Sequence, residues 1–363
     1  MTAACATFTF PGVSRFVRSR LLRFGLGLTA ILVVPLVLST LVFPPHNGRI
    51  SYTRLELFVV LVLLTAVVTA TVGGVRSAVQ LVFGWLRSTR ASPTTARLWA
   101  WGWVAIGGLC GCAAIYGRYG EPYWIEVTTH ELPLAGVRER VRLVVLTDIH
   151  SDRRFDLDRR IAATATAADA DVVVFLGDAL NDHKRLEPFR EGLTAVRAKV
   201  AKLAIRGNWD VWYWSRLDLF AGTGFRELEA DSVTLEVDGT PLRIVGHTWE
   251  DAWTPETVAG PQPPFDGVTV MLYHSHDYAE VAATRGVDLY LCGDTHGGQI
   301  ALPGWGPLFA IGRFGSRYAR GWYDVGGMRL FVSRGLGVER GVPLRFSARP
   351  EIAVIDLVPL TRD

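Results

Sequence analysis

Cysteine is scarce in this chain: four residues in 363, with Cys292 the only one beyond residue 120. The C-terminal two thirds therefore cannot close an internal disulfide. Cys110 and Cys112 are spaced for neither a redox pair nor a zinc site and read as small packing residues. Acidic residues are almost missing from the first 120 positions, which carry eleven arginines against Glu56 alone; the remainder carries 27 basic and 34 acidic residues, and the net charge of +3 hides this division. A basic half of that kind fits an anionic membrane surface and not a nucleic-acid footprint. No internal repeat or low-complexity tract is present, which excludes a solenoid, and Pro261 to Pro264 reads as an ordinary surface loop.

Charge is absent altogether from three stretches, residues 24–43, 57–75 and 98–117. At about 1.5 Å rise per residue, each covers the hydrocarbon core of about 30 Å, which predicts three membrane spans within a region of residues 1–120. The first is too long for a signal-peptide core and runs into Pro44-Pro45; Pro35 is expected to kink it. Trp99, Trp101, Trp103 and Tyr116 lie toward the ends of the third, where amphipathic rings favour the headgroup zone, and Gly107 and Gly111 are spaced for close helix contact. None of the spans holds an ionisable residue, which argues against a transporter or channel reading. Arg15, Arg18, Arg20 and Arg23 precede the first span and Arg76, Arg87, Arg90 and Arg97 fill the second loop, against Arg49 and Arg54 in the first loop. The positive-inside rule then places the N-terminus in the cytoplasm, and an odd number of spans delivers the rest of the chain to the outer face. Val75, Val79, Val82, Phe83 and Leu86 share one helical face, either as a helix on the inner surface or as an extension of the second span.

What is abundant beyond residue 120 is metal-capable chemistry in a fixed order: Asp148 and His150, Asp178, Asn208, His274, then Asp294 and His296. Each group follows an apolar run that reads as a buried strand: 141–147, 172–176, 203–205, 268–273 and 288–292. Side chains just past the carboxyl ends of several strands converge on one crevice in an α/β fold. Two cations about 4 Å apart need a bridging carboxylate with imidazole and oxygen ligands, and Asp178 is the natural bridge. Helical candidates at 157–168 and 186–199 separate the early strands, and Asp238-Gly239 and Gly326-Gly327 read as hairpin turns.

These residues resemble the calcineurin-like metallophosphoesterase superfamily, whose pattern is D-x-H, G-D, G-N-H-[D/E], a lone His after a strand, and G-H-x-H. Here the pieces are Asp148-Ile149-His150, Gly177-Asp178, Gly207-Asn208-Trp209-Asp210, His274 and Gly293-Asp294-Thr295-His296. Residues 297–299, 313–318 and 332–337 look like the membrane-anchored bacterial branch, so the likeness covers roughly residues 140–358. It implies an α-β-β-α double-sheet sandwich flanked by helices over 121–363, preceded by the three spans. It also implies one metal held by Asp148, His150, Asp178 and His296, and a second by Asp178, Asn208, His274 and Asp294. Mn²⁺ is the first expectation, with Fe, Zn or Mg as alternatives, and a hydroxide generated on the metals would attack phosphorus directly.

Two positions depart from that pattern. Asp294 stands where the family usually has His, which hardens the site toward oxygen-seeking ions. Trp209 stands where the family has the His that protonates the leaving group, so the substrates expected are diphosphates or activated diesters whose leaving group is already a stable anion. His276 and His247 are candidate replacement acids beside the catalytic candidates Asp178 and Asn208, while Asp210 loses its usual partner. Trp209, Trp212, Tyr213, Trp214, Trp249 and Trp253 form either core or an apolar wall for acyl chains. The function expected is a multi-pass, membrane-anchored phosphoesterase acting on a phosphodiester or pyrophosphate, with lipid-linked and nucleotide-sugar phosphoesters both open. Its alternative is a metal-binding sensor or scaffold that has lost its acid. The expected partners are the phosphoester and the bilayer, without nucleic acid.

Overall fold

The computed structural model describes residues 52–86, 94–154, 156–249, 262–310, 312–340 and 342–360, and it divides into two compact units, Met1–Gly107 and Gly108–Asp363. Helix α1 spans Tyr52–Leu86 and α2 Thr94–Tyr119. Within them, Thr65–Phe83 and a stretch from Arg97 to Tyr123 are long and apolar enough to cross a membrane, and only 6% of each is buried, unlike the core helix of a soluble fold. The expected span at 24–43, the arginines before it and Trp253 lie outside the described residues. Because α1 continues without a break to Leu86, the apolar face of Val75, Val79, Val82 and Phe83 belongs to the same helix as the second expected span.

Gly107 is where α1 and α2 approach each other. A Cβ added there would meet Ala70 O and Gly74 Cα, each at 3.0 Å. Gly111, the other glycine of the expected contact pair, faces open space, so the close approach uses Gly74 with Gly107.

In the second unit, β1 (Glu126–Leu134), β2 (Val141–Leu146), β3 (Val172–Phe175), β4 (Ala201–Ala204) and β5 (Arg226–Glu227) join the late strand β14 (Glu351–Pro359) in a sheet ordered β1-β14-β2-β3-β4-β5. Strands β6 (Ala230–Val237), β7 (Thr240–His247), β8 (Val268–Leu272), β9 (Leu289–Cys292), β12 (Gly321–Val325) and β13 (Met328–Val332) form the other, ordered β12-β13-β9-β8-β7-β6. A small hairpin pairs β10 (Ala301–Leu302) with β11 (Gly306–Pro307). The runs of β3 and β9 are apolar and buried along their length, and those of β2 and β8 are interrupted only by Arg142 and Thr269, as parallel strands covered on both faces require.

Three apolar layers hold the sheets. Leu143, Val145, Val174 and Leu203 of one sheet meet Ile244, Val270, Leu291 and Phe331 of the other between them. Helices α3 (Asp158–Ala167) and α4 (Leu186–Ala195) cover the outer face of the first sheet through Ile161, Ala165, Phe189 and Leu193. The short α6 (Ala279–Ala282) covers the second beside Tyr290 and Leu330. The order is helix, sheet, sheet, helix. Both expected hairpins are present, joining β6 to β7 and β12 to β13: Asp238 and Gly239 have φ of 48° and 80°, and Gly326 and Gly327 of 57° and 91°, the left-handed pair a two-residue turn demands.

Candidate metal centre

Five strand ends deliver the polar side chains. Asp148 and His150 follow β2, Asp178 follows β3, Asn208 opens the helix α5 (Asn208–Trp214) just past β4, His274 follows β8, and Asp294 with His296 follows β9. Asp148, His150, Asp178, Asp294 and His296 all have positive φ, between 42° and 66°. Left-handed backbone is uncommon outside glycine, and five instances in one crevice mark strain held by the surrounding fold for a site.

The two histidines nearest Asp178 bracket it. His150 Nε2 and His274 Nε2 each lie 3.3 Å from Asp178 Oδ2, while His274 Nε2 is 3.8 Å from Asp148 Oδ1 and 3.7 Å from Asp294 Oδ1. His296 Nε2 is 3.5 Å from Asp148 Oδ1 and 3.2 Å from His150 Nε2. Two sets of donor atoms result, Asp148 with His150 and His296, and Asp148 with Asp178 and His274. Asp148 thus belongs to both sets, and Asp178, to which the resemblance assigns the shared position, lies 3.3 Å from a histidine of each.

Backbone and side-chain partners fix the imidazoles. Leu176 O accepts from His274 Nδ1 at 2.7 Å, which turns Nε2 toward the carboxylates as the nitrogen that would offer its lone pair to a cation on losing its proton. His150 Nδ1 faces Asn181 Oδ1 at 3.1 Å, and Asn181 Nδ2 donates to Val338 O, so the amide is oriented and His150 again offers Nε2. Asn208 Oδ1 and His274 Nε2 are buried and make no hydrogen bond among the described residues. An orphaned acceptor such as Asn208 Oδ1 is costly in a dry crevice unless a cation takes its lone pair.

The electrostatics point the same way. Burial works against ionisation of Asp178, yet the His274 and His150 rings outweigh it and hold the carboxyl far below its usual range. Both rings are raised in turn, burial being overcome mainly by Asp178 and Asp148. Asp294 is pushed up to about 7, chiefly by burial. The crevice favours positive charge, and its nitrogen and oxygen donor set suits a divalent cation. Glycines give it room: a Cβ on Gly207 would overlap Asp178 Oδ1, and one on Gly293 would overlap Asp148 Oδ2.

Residues without a sequence signal complete the site. Asn181 is one. Arg345 is another: fully buried, it donates to Gly337 O, Arg334 O and Ala348 O and faces His296 Nδ1 at 3.3 Å. Because a guanidinium has no lone pair, it disfavours an imidazolium there, and burial, His150 and Arg345 together hold His296 well below the usual histidine value. Asp210 accepts from the backbone N–H groups of Asp178, Ala179 and Gly207, and burial with the nearby Asp178 charge raises it to about 6.

Trp209 stands at the same centre, its backbone N–H donating to Asp178 Oδ1 at 3.0 Å and its ring edge-on to His150 with centroids 5.5 Å apart. Tyr213 and Trp212 continue this surface and are more than half exposed, while Trp249 stacks on Tyr273. Of the candidate acids, His276 is fully buried and packed beside Phe314 and Tyr318. His247 ends β7, where burial lowers its ring to about 4.

A family model for calcineurin-like phosphoesterases matches residues 141–298. The chain is 30% identical over 266 residues to an uncharacterised metallophosphoesterase, YkuE, of Bacillus subtilis, across 67% of this chain and 88% of that protein. It is 27% identical over 255 residues to the phosphodiesterase YaeI of Escherichia coli, across 67% of this chain and 92% of that one.

Proposed function

Because this chain belongs to the calcineurin-like phosphoesterase family, we propose that it is a membrane-anchored enzyme that hydrolyses a phosphodiester or pyrophosphate bond with two divalent cations. The observation that carries this reading is the convergence of Asp148, His150, Asp178, His274, Asp294 and His296 from strand ends of both sheets, with Nε2 of three rings turned toward the carboxylates. Asn208 joins them through its orphaned Oδ1. When bound, the cations supply charge stabilisation to the phosphoryl oxygens and make a water acidic enough to ionise near neutral pH.

The chain's own residues do the rest. Asp178 holds the two histidines together, Asn181 and Leu176 O fix which nitrogen each presents, and Asp210 pins the turns that carry Asp178 and Gly207. Trp209 places an indole beside His150, and an indole gives up no proton at neutral pH. A leaving group that departs as a stable anion, such as one half of a pyrophosphate, suits that arrangement better than an alkoxide. The apolar helices α1 and α2 support membrane anchorage, and the arginine asymmetry supports an outward-facing catalytic unit. An anchored site meets lipid-linked substrates at high effective concentration.

The test is hydrolysis of bis(p-nitrophenyl) phosphate and of a nucleotide-sugar diphosphate by the full-length chain, titrated with Mn²⁺, beside Asp178→Asn. Metal-dependent turnover that the substitution abolishes is expected. A folded, Mn²⁺-loaded chain without turnover on either would instead mean a sensor or scaffold.

A further inference from the structure

A cavity of about 500 Å³ lies on the second unit outside the metal centre. One wall is aromatic and apolar: Tyr116 in the last turn of α2, Phe346 packed edge-on against it with centroids 6.2 Å apart, and Pro303 from the β10–β11 hairpin. The other carries Arg320, Arg334 and Arg349 together with the carboxylates of Glu121 and Glu126. The backbone brings these walls together, because Arg345 N donates to Gly117 O while Ala301 N donates to Phe346 O, so the segment around 346 lies between the helix end and the hairpin.

The charges are unequally spent. Arg334 is paired with Glu126 and Glu351, and Arg349 with Glu126. Glu121 accepts from the backbone N–H groups of Ser347 and Ala348. Arg320 donates to Ser347 O, and no carboxylate among the described residues lies within ion-pair distance of it. One guanidinium thus faces the cavity without a counter-charge. Close to the lining residues in the chain, Trp305 at the hairpin tip is 91% exposed and Tyr119, a turn past Tyr116, 68%, while Trp124, whose ring lies 4.1 Å from the Arg349 guanidinium, is 54% exposed. Large rings exposed so fully beside the end of an apolar helix are what an interfacial surface presents.

We propose that this cavity seats the phosphate of an anionic membrane phospholipid, with Arg320 as its principal donor and Tyr116, Phe346 and Pro303 against the glycerol and first acyl carbons. A free phosphate offers the same oxyanion, but the aromatic wall would then have no occupant. The inference rests on the membrane-anchored reading of α2, and the two are separable. Resistance of the protein to alkaline extraction from membranes reports anchorage, while lipid retention in micelles reports the cavity.

The experiment counts dioleoyl phosphatidylglycerol bound to the full-length chain in dodecyl maltoside by native mass spectrometry. Saturable retention of the lipid is expected, weakened about five- to tenfold in Arg320→Gln. Arg317→Gln, which removes an exposed charge paired with Glu280, should leave it unchanged. Trp305→Ala, at an exposed tip, keeps the test open should Arg320→Gln fail to fold, and should weaken retention about threefold. Equal retention in wild type, Arg320→Gln and Trp305→Ala would overturn the proposal. So would displacement of the lipid by an equal concentration of inorganic phosphate, which would assign the cavity to a soluble anion.

Discussion

The carboxylate of Asp210 accepts the backbone N–H of Asp178 at 2.7 Å, across 32 residues of chain, and so fixes the backbone of the carboxylate that sits between His150 and His274. The same side chain takes the N–H groups of Ala179 and Gly207. One residue therefore ties the turn after β3 to the turn after β4.

Asp210→Ala would leave three buried N–H groups without an acceptor, at about 1–3 kcal/mol each before relaxation. The expected result is a large fall in thermal unfolding temperature together with weakened Mn²⁺ binding, read by circular dichroism and calorimetric titration. An unchanged melting point would show that Asp210 is not a structural tie.

Gly207→Ala should separate metal binding from folding. Its Cβ would overlap Asp178 Oδ1 and lie 2.8 Å from His274 Cε1, so two candidate ligands must move. A stability cost of about 1–3 kcal/mol is expected, with a loss of about 10- to 100-fold in Mn²⁺ affinity. Full affinity in the variant would show that these two side chains do not hold the ion.

Trp209→His introduces a titratable donor where the indole now meets His150. Across aryl phosphodiesters of graded leaving-group pKa, the wild type should slow steeply as the leaving group becomes more basic. The variant should flatten that dependence, gaining up to about 10² to 10⁴ on the poorest leaving groups. Identical slopes would mean that the wild type already supplies the proton from elsewhere.

Acid stability has a source away from the site. Arg142 on β2 and Asp356 on β14 are register partners, joined by two hydrogen bonds of 2.8 Å that lower the Asp356 carboxyl below its ordinary value. The folded state therefore holds this proton less tightly than the unfolded chain. Its contribution is complete above the unfolded value of about 3.9 and fades as pH falls toward the lower folded one. In urea unfolding from pH 7 down to 3, the stability difference between wild type and Asp356→Asn should shrink at the acid end. A difference constant with pH would exclude the ion pair as its cause.

Much of this protein is local chemistry and was legible without coordinates. Mainly apolar runs of four to six residues followed by Asp or His satisfy burial as covered strands, which places the polar residues after them at one edge. Asp238-Gly239 and Gly326-Gly327 name their turns because left-handed φ is inexpensive there. Two of the three uncharged stretches, 57–75 and 98–117, fall within the described helices α1 and α2. The tertiary structure alone decided what depends on two loops meeting. It placed Asp148 within reach of both donor sets, gave Asp210 three N–H groups in place of an imidazole, and brought Asn181 and Arg345 against His150 and His296. It also made Gly74, and not Gly111, the partner of Gly107. Those pairings join residues up to about 150 positions apart through strand order, sheet-on-sheet packing and helix contact, and no periodicity in the chain encodes which side chains these will bring face to face.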